Sequence, residues 1–187
     1  VTYETNDPML IFSEMIYKLS NLFLEYNSEK KVDYVMCFGD ANTTMATAIA
    51  ASKCGIKLIH VEAGLRLNDL NSPEEGNRIV ADHLSSFLFV SNRADLINLK
   101  KEGLIDKSIF VGDIIYDLVL QIQDELTNKK IIYLDEDNNY RTYKKTNFIL
   151  ASMHRKENIR DGCLEELFKA FSAIDSHILF IAHPSVM

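Results

Sequence analysis

The chain has 187 residues, 47% of them hydrophobic and 25% charged, the ordinary balance of a soluble globular protein. Its formal net charge of −7, with no basic stripe interleaved with aromatics, argues against a nucleic-acid partner. No apolar run reaches the ~20 residues that a membrane span needs, so no membrane partner and a cytoplasmic location are expected.

The first pattern is helical. Met9, Leu10, Phe12, Met15, Ile16, Leu19, Leu22 and Phe23 recur at helical spacing and predict a long amphipathic helix over 8–26. Val32–Phe38 is a short apolar run and predicts a buried strand. Gly39 to Thr44 reads as a turn, with Asp40 or Asn42 placed to cap the next helix. Met45–Lys53, rich in Ala, predicts a tightly packed helix closed at Gly55. Ile56–Val61 predicts a second buried strand. Together these make a strand–helix–strand unit of the length of a parallel crossover.

Further elements are expected as helix 73–84, strand 87–90, helix 94–102, strand 108–111 and helix 114–126. Residues 127–146 are polar and nearly free of period, which predicts an interdomain linker or a variable excursion. The pattern then restarts with strand 147–153, helix 163–174 and strand 177–182. Alternating helices and buried strands predict an α/β chain with doubly wound parallel sheets and helices on both faces. Two domains are expected: 1–126, then the linker 127–146, then 147–187. The chain begins at Val1, not Met, and ends just after a strand, so both domains are expected to be pieces of a longer protein.

Several chemistries find no support. Cys37, Cys54 and Cys163 form no C-x-x-C pair and are odd in number, so reduced thiols are expected. The five histidines have no metal-ligand spacing, so no metal is expected. The loop after Phe38 has a single Gly and lacks both G-x-G-x-x-G and a Walker lysine, so no nucleotide cofactor is expected.

Acidic groups at a strand's carboxyl end, and at the helix start that follows, lie where open α/β sheets place their chemistry. Glu62 directly follows an apolar strand and has no capping duty, while Gly64 permits close approach of backbone or ligand. Ser72-Pro73-Glu74-Glu75 has the form of a capping box, with Ser72 at N-cap and Glu75 at N3. Glu74 can therefore be a first-turn acid that suits the helix dipole, or a reacting group. Glu74–Arg78 and Arg78–Asp82 are i,i+4 pairs that would support the helix. Asp40 would oppose a phosphate at the helix start, so it makes better sense as a base or hydroxyl acceptor. His154 follows a strand, in a loop with Arg155 and Lys156 suited to an anionic ligand. A charged, solvated turn is the rival reading there, and His183 has the same placement.

Three motifs now stand in order. They are Phe38-Gly39-Asp40-Ala41-Asn42-Thr43-Thr44, then His60-Val61-Glu62-Ala63-Gly64-Leu65-Arg66 with Pro73-Glu74-Glu75-Gly76-Asn77-Arg78, then His154-Arg155-Lys156-Glu157-Asn158. In this order and spacing the chain resembles the non-hydrolysing UDP-N-acetylglucosamine 2-epimerases over nearly its whole length, more weakly at 1–30 and 121–146. The resemblance implies a glycosyltransferase-B-type fold of two Rossmann-like domains, with the active site in the cleft between them. It implies interconversion of UDP-GlcNAc and UDP-ManNAc for cell-surface polysaccharide precursors, through loss and re-addition of UDP.

Carried over residue by residue, the resemblance assigns proton work to Asp40, Glu62 and Glu74, and a catalytic place beside the leaving UDP to His154. Arg155 and His183 match positions that bind the nucleotide sugar or a second, activating UDP-GlcNAc. Arg66, Arg78, Glu157 and Asn158 lie in the same motifs and are assigned to substrate binding. Which carboxylate is base and which is acid stays open. A homodimer is implied for the full-length protein.

Departures accompany the match. The family's early strand and G-T-R-P-E loop are absent, Ser185-Val186 follows His183-Pro184 in place of Asn-Pro, and Asp113 stands where Asn is common. The second domain is accordingly expected to be truncated and the 187 residues alone to be inactive. Alternatives are the hydrolysing relative that releases ManNAc and UDP, an epimerase for a 2,3-diacetamido uronic acid sugar nucleotide, and an inactive sugar-nucleotide-binding remnant.

Overall fold

The computed structural model describes residues 7–127, 130–134, 139–143, 147–153 and 162–182. Two compact units divide the chain, Val1–Gln123 and Asp124–Met187. In the first, helix α1 (Pro8–Glu29) opens behind Asp7, whose carboxylate accepts from the amides of Met9 at 2.8 Å and Leu10 at 3.4 Å. Pro8 at the first position costs nothing there, because its missing N–H would have had no helical partner.

Four strands follow: β1 (Tyr34–Phe38), β2 (Lys57–Val61), β3 (Phe87–Val90) and β4 (Ser108–Phe110). They form one parallel sheet in the order β1-β2-β3-β4. Helices α2 (Asn42–Lys53), α3 (Pro73–Leu84) and α4 (Arg93–Lys101) are the crossovers, and α5 (Ile114–Thr127) follows β4. Helix α2 begins three residues earlier than its apolar pattern, taking in Asn42, Thr43 and Thr44.

Alternation along the strands decides what is covered. Cys37 and Leu58 point to the side where Ala48, Ala51 and Ala81 complete a buried cluster, with Phe23 and Val35 packed against it. On the same side of the sheet, because His60 pairs with Leu88, a second cluster joins Ala63, Leu88, Val90 and Leu99. Helices α2, α3 and α4 thus pack on one face. Small residues let α2 approach closely: Ala46, Ala48, Ala50 and Ala51 are fully buried. Gly64 meets a stricter demand. Its φ is +89°, and a Cβ there would lie 2.9 Å from both the Asp95 carbonyl oxygen and the Leu99 side chain.

The second unit contains an antiparallel pair, β5 (Ile131–Leu134) with β6 (Tyr140–Tyr143), and a parallel pair, β7 (Ile149–Met153) with β8 (Ile178–Ala182). Helix α6 (Cys163–Ser172) lies between β7 and β8 in sequence. Phe168 and Phe171 of α6 stack edge-on against Phe180 of β8. The β5–β6 hairpin falls within 127–146, where polarity conceals it. Its strands are nonetheless built largely from β-branched and aromatic residues, Ile131 opposite Tyr143, Ile132 opposite Thr142 and Leu134 opposite Tyr140.

Candidate active site

Parallel pairing of β1 and β2 places Phe38 opposite Val61, so the next residues of both strands leave the sheet side by side at its carboxyl edge. Those residues carry Asp40 and Glu62. Gly39 turns with φ +64° and donates its N–H to the Val61 carbonyl at 3.1 Å. The Glu62 carboxylate lies over this turn, its Oε2 3.6 Å from where a Gly39 Cβ would be. Glu62 itself has φ 66°, a left-handed conformation that costs a non-glycine residue about 1–3 kcal/mol. Its neighbours impose that shape: Ala63 N–H donates to the Phe89 carbonyl and Gly64 N–H to Asp82 Oδ2, both at 3.1 Å. The side chain of Glu62 is exposed. An exposed acid in an enforced strained turn is the kind of outlier from which function is inferred.

Asp40 is anchored on several sides. Its carboxylate pairs with Arg78, and its main-chain carbonyl accepts from Asn77 Nδ2 at 2.8 Å. The same Asn77 nitrogen donates to Asn42 Oδ1 at 3.1 Å. Neither Asp40 nor Asn42 caps α2, contrary to expectation. The N-cap is Ala41, whose carbonyl accepts from Thr44 N–H, while Thr44 Oγ1 donates to the Phe38 carbonyl at 2.7 Å. Both side chains are drawn instead to α3, where buried Asn77 and Arg78 need partners.

Glu74 stands exposed in the first turn of α3, with Ser72 Oγ donating to its Oε2 at 2.6 Å. The capping box does not form, for Ser72 makes no side-chain cap bond. Glu75 is 2% exposed and turns away from the cap. Its two oxygens accept from the backbone amides of Leu67 and Asn68, both at 2.9 Å, and Oε2 also meets Arg78 Nη1 at 3.5 Å. Two amides and a guanidinium satisfy a buried carboxylate better than one solvent-facing cap would. Arg78 pairs with Asp40 and Glu75 in place of the expected i,i+4 partners. It reaches the site through Asp40.

Arg66, expected among the substrate-binding residues, points into the protein. Its Nη1 lies 2.8 Å from Asp82 Oδ2, and its Nε and Nη2 each meet Glu102 at 2.7 Å. At 4% exposure its guanidinium has no accessible face. Burial opposes the Arg66 charge, but the hydrogen bonds and fields of Glu102 and Asp82 outweigh it and raise its pKa. The hydrogen bond from Arg66 in turn holds Glu102 below the ordinary glutamate value.

Two further functional candidates received no role from the motifs: His60, which opens the second of them, and Asp82. Both are fully buried. His60 Nδ1 lies 2.7 Å from Asp82 Oδ1, and Nε2 lies 2.8 Å from the Gly39 carbonyl. A carbonyl only accepts, so Nε2 is the protonated donor there. The signal was available: His60 sits two places before Glu62 and alternates inward beside Leu58.

His154, Arg155, Glu157, Asn158 and His183 lie outside the described residues. Among the described residues no group of three or more His, Cys, Asp and Glu could hold a metal ion, and no helix is long and apolar enough to cross a membrane.

The family model for UDP-N-acetylglucosamine 2-epimerase matches residues 4–187. The chain belongs to the UDP-N-acetylglucosamine 2-epimerase family. It is 40% identical over 173 residues to a UDP-N-acetylglucosamine 2-epimerase homolog of Methanococcus maripaludis, with 91% of this chain and 46% of that protein covered. A UDP-2,3-diacetamido-2,3-dideoxy-D-glucuronate 2-epimerase of Pseudomonas aeruginosa is 33% identical over 174 residues, covering 91% and 45%. Among solved structures, the Methanocaldococcus jannaschii UDP-GlcNAc 2-epimerase in complex with UDP-GlcNAc and UDP superposes with a TM-score of 0.75 at 31% identity. That match covers 94% of this chain and 48% of the other. The fold is therefore α/β, of the glycosyltransferase-B type of these epimerases. This epimerase-family chain spans about half the length of the curated relatives it matches.

Proposed function

We propose that the protein carrying this chain epimerises UDP-GlcNAc and UDP-ManNAc at C2. The observation that carries the reading is the placement of Asp40 and Glu62 on adjoining strand ends, with Glu62 laid over the Gly39 turn. Family membership and a solved relative holding UDP-GlcNAc and UDP support it.

The chemistry needs a base, an acid and a receptacle for diphosphate. A carboxylate removes the C2 proton, a C1–C2 double bond forms, and the C1–O bond breaks with its electron pair passing to UDP. The products are 2-acetamidoglucal and UDP. A carboxylic acid then returns a proton to C2 on the opposite face, and the UDP oxygen re-forms its bond to C1. Asp40, Glu62 and Glu74 are the proposed proton carriers, of which two must serve the two faces. His154 and Arg155 are proposed to take the charge growing on UDP, with Glu157, Asn158 and His183 holding the nucleotide sugar.

The finer assignments are proposals of the same standing: a nucleotide-binding domain opening at 147, a homodimer, a second UDP-GlcNAc as activator and a cytoplasmic site of action. A second substrate, a diacetamido-glucuronate sugar nucleotide, stays within the proposal because an enzyme of that specificity is 33% identical to this chain.

Incubation of the intact protein with UDP-GlcNAc, followed by anion-exchange separation, tests the reading. UDP-ManNAc at constant total UDP-sugar is expected. Free ManNAc with UDP identifies a hydrolysing enzyme, and conversion of the diacetamido uronate alone identifies the second substrate. The 187 residues assayed by themselves are expected to give no product.

A further inference from the structure

We infer that His60 and Asp82 are positioning residues, a buried pair that fixes the two loops carrying Asp40 and Glu62 against each other. The catalytic consequence rests on the proposed epimerase reading; the structural claim does not.

The pair binds both loops at once. Through His60 Nε2 it grips the Gly39 carbonyl, which belongs to the peptide leading into Asp40. Asn77 grips the next carbonyl, that of Asp40 itself, so both carbonyls flanking Asp40 are fastened by side chains. Through Oδ2, Asp82 accepts from Gly64 N–H, two residues beyond Glu62, at 3.1 Å. Through Oδ1 it meets His60 Nδ1 at 2.7 Å. One carboxylate thus ties the β1 turn and the β2 loop to helix α3. A third bond, from Arg66, leaves Asp82 no freedom to swing away.

Burial makes the arrangement stiff. Both side chains are fully buried, where an unmet donor or acceptor carries its full desolvation cost. His60 belongs to strand β2 and Asp82 to the last turn of α3, regular elements that hold a reacting geometry better than loops do.

Two substitutions separate the bonds. His60→Gln can place an amide N–H near the Nε2 position and still donate to the Gly39 carbonyl. His60→Asn reaches the Nδ1 position, keeping a contact to Asp82 and losing Gly39. The intact protein and both variants are compared by amide hydrogen–deuterium exchange over residues 38–44, with 87–101 as internal reference, and by exchange of the C2 proton of UDP-GlcNAc in D2O. His60→Asn is expected to lose protection in 38–44 alone. It should also slow C2 exchange by on the order of ten- to a hundredfold, with KM changed much less. His60→Gln is expected to recover most of both. Equal protection of 38–44 in all three proteins overturns the inference, and so does equal loss in both variants. Absence of C2 exchange in the unsubstituted protein defeats the epimerase reading instead, and the amide measurement still decides the positioning.

Discussion

At the scale of single residues, environment sorts chemically similar side chains into different work. Glu62, Glu74 and Glu75 lie within fourteen positions, yet the first two are exposed and the third is buried beneath backbone amides. Sequence could place all three at the sheet's carboxyl end, since strand ends and helix starts follow from periodicity and Pro73. It could not show that Glu75 abandons the capping box for the amides of Leu67 and Asn68, because that depends on how the 64–72 loop folds back. Glu75→Gln should destabilise the protein by about 1–3 kcal/mol in urea unfolding, since its amide nitrogen would confront a backbone N–H.

Cysteine reactivity offers a second check at this scale. Burial, with Asp82 nearby, pushes the Cys37 thiol up to about 12, so it has almost no thiolate at neutral pH. An aromatic disulfide reagent should label exposed Cys163 in the native protein and reach Cys37 only after denaturation. Glu102 gives a pH dependence with a definite sign. Its folded pKa lies below the ordinary 4.5, chiefly through the hydrogen bond from Arg66, so the stability it contributes is present above pH 4.5 and is lost as acid protonates it. Glu102→Gln should flatten the fall of the urea midpoint from pH 4.5 downward.

At the scale of elements, α3 organises the site. It carries Glu74, Asn77, Arg78 and Asp82 on one rigid rod. Lys107 closes its end, donating to the carbonyls of Asp82, His83 and Ser85 at 2.8, 3.1 and 2.7 Å. A cation at a helix carboxyl end also suits the dipole. Lys107→Met should cost about 1 kcal/mol by urea unfolding. Gly64 sets the approach of the β2 loop to α4, and Gly64→Ala should cost on the order of 1–3 kcal/mol, from the φ it would force and from contact with Asp95 and Leu99. The boundaries of α3 and β3 were readable because Pro73 starts one and a compact apolar run defines the other. The β5–β6 hairpin was not, since its stability comes from cross-strand pairing that a search for apolar period does not see.

At the scale of the molecule, the parallel sheet brings distant stretches of sequence to one edge. Asp40 and Glu62 are separated by a whole helix, and only the pairing of β1 with β2 makes them neighbours. Family motifs picked out both acids, while the buried partners that aim them, His60 inside a motif and Asp82 beyond its end, carried no sign of a shared task. Both look like ordinary core or helix residues until the crossover closes. Arg66 shows the converse: a motif arginine that serves the interior.

The proposed work of these edge carboxylates is to move a proton at a sugar C2. Deuterium incorporation at C2 of UDP-GlcNAc in D2O, compared between the intact protein and Glu62→Gln, tests it most directly. Steady incorporation by the unsubstituted protein, reduced at least ~100-fold in the variant whose circular dichroism and unfolding midpoint are unchanged, is the expected result. Equal incorporation by both proteins would contradict it.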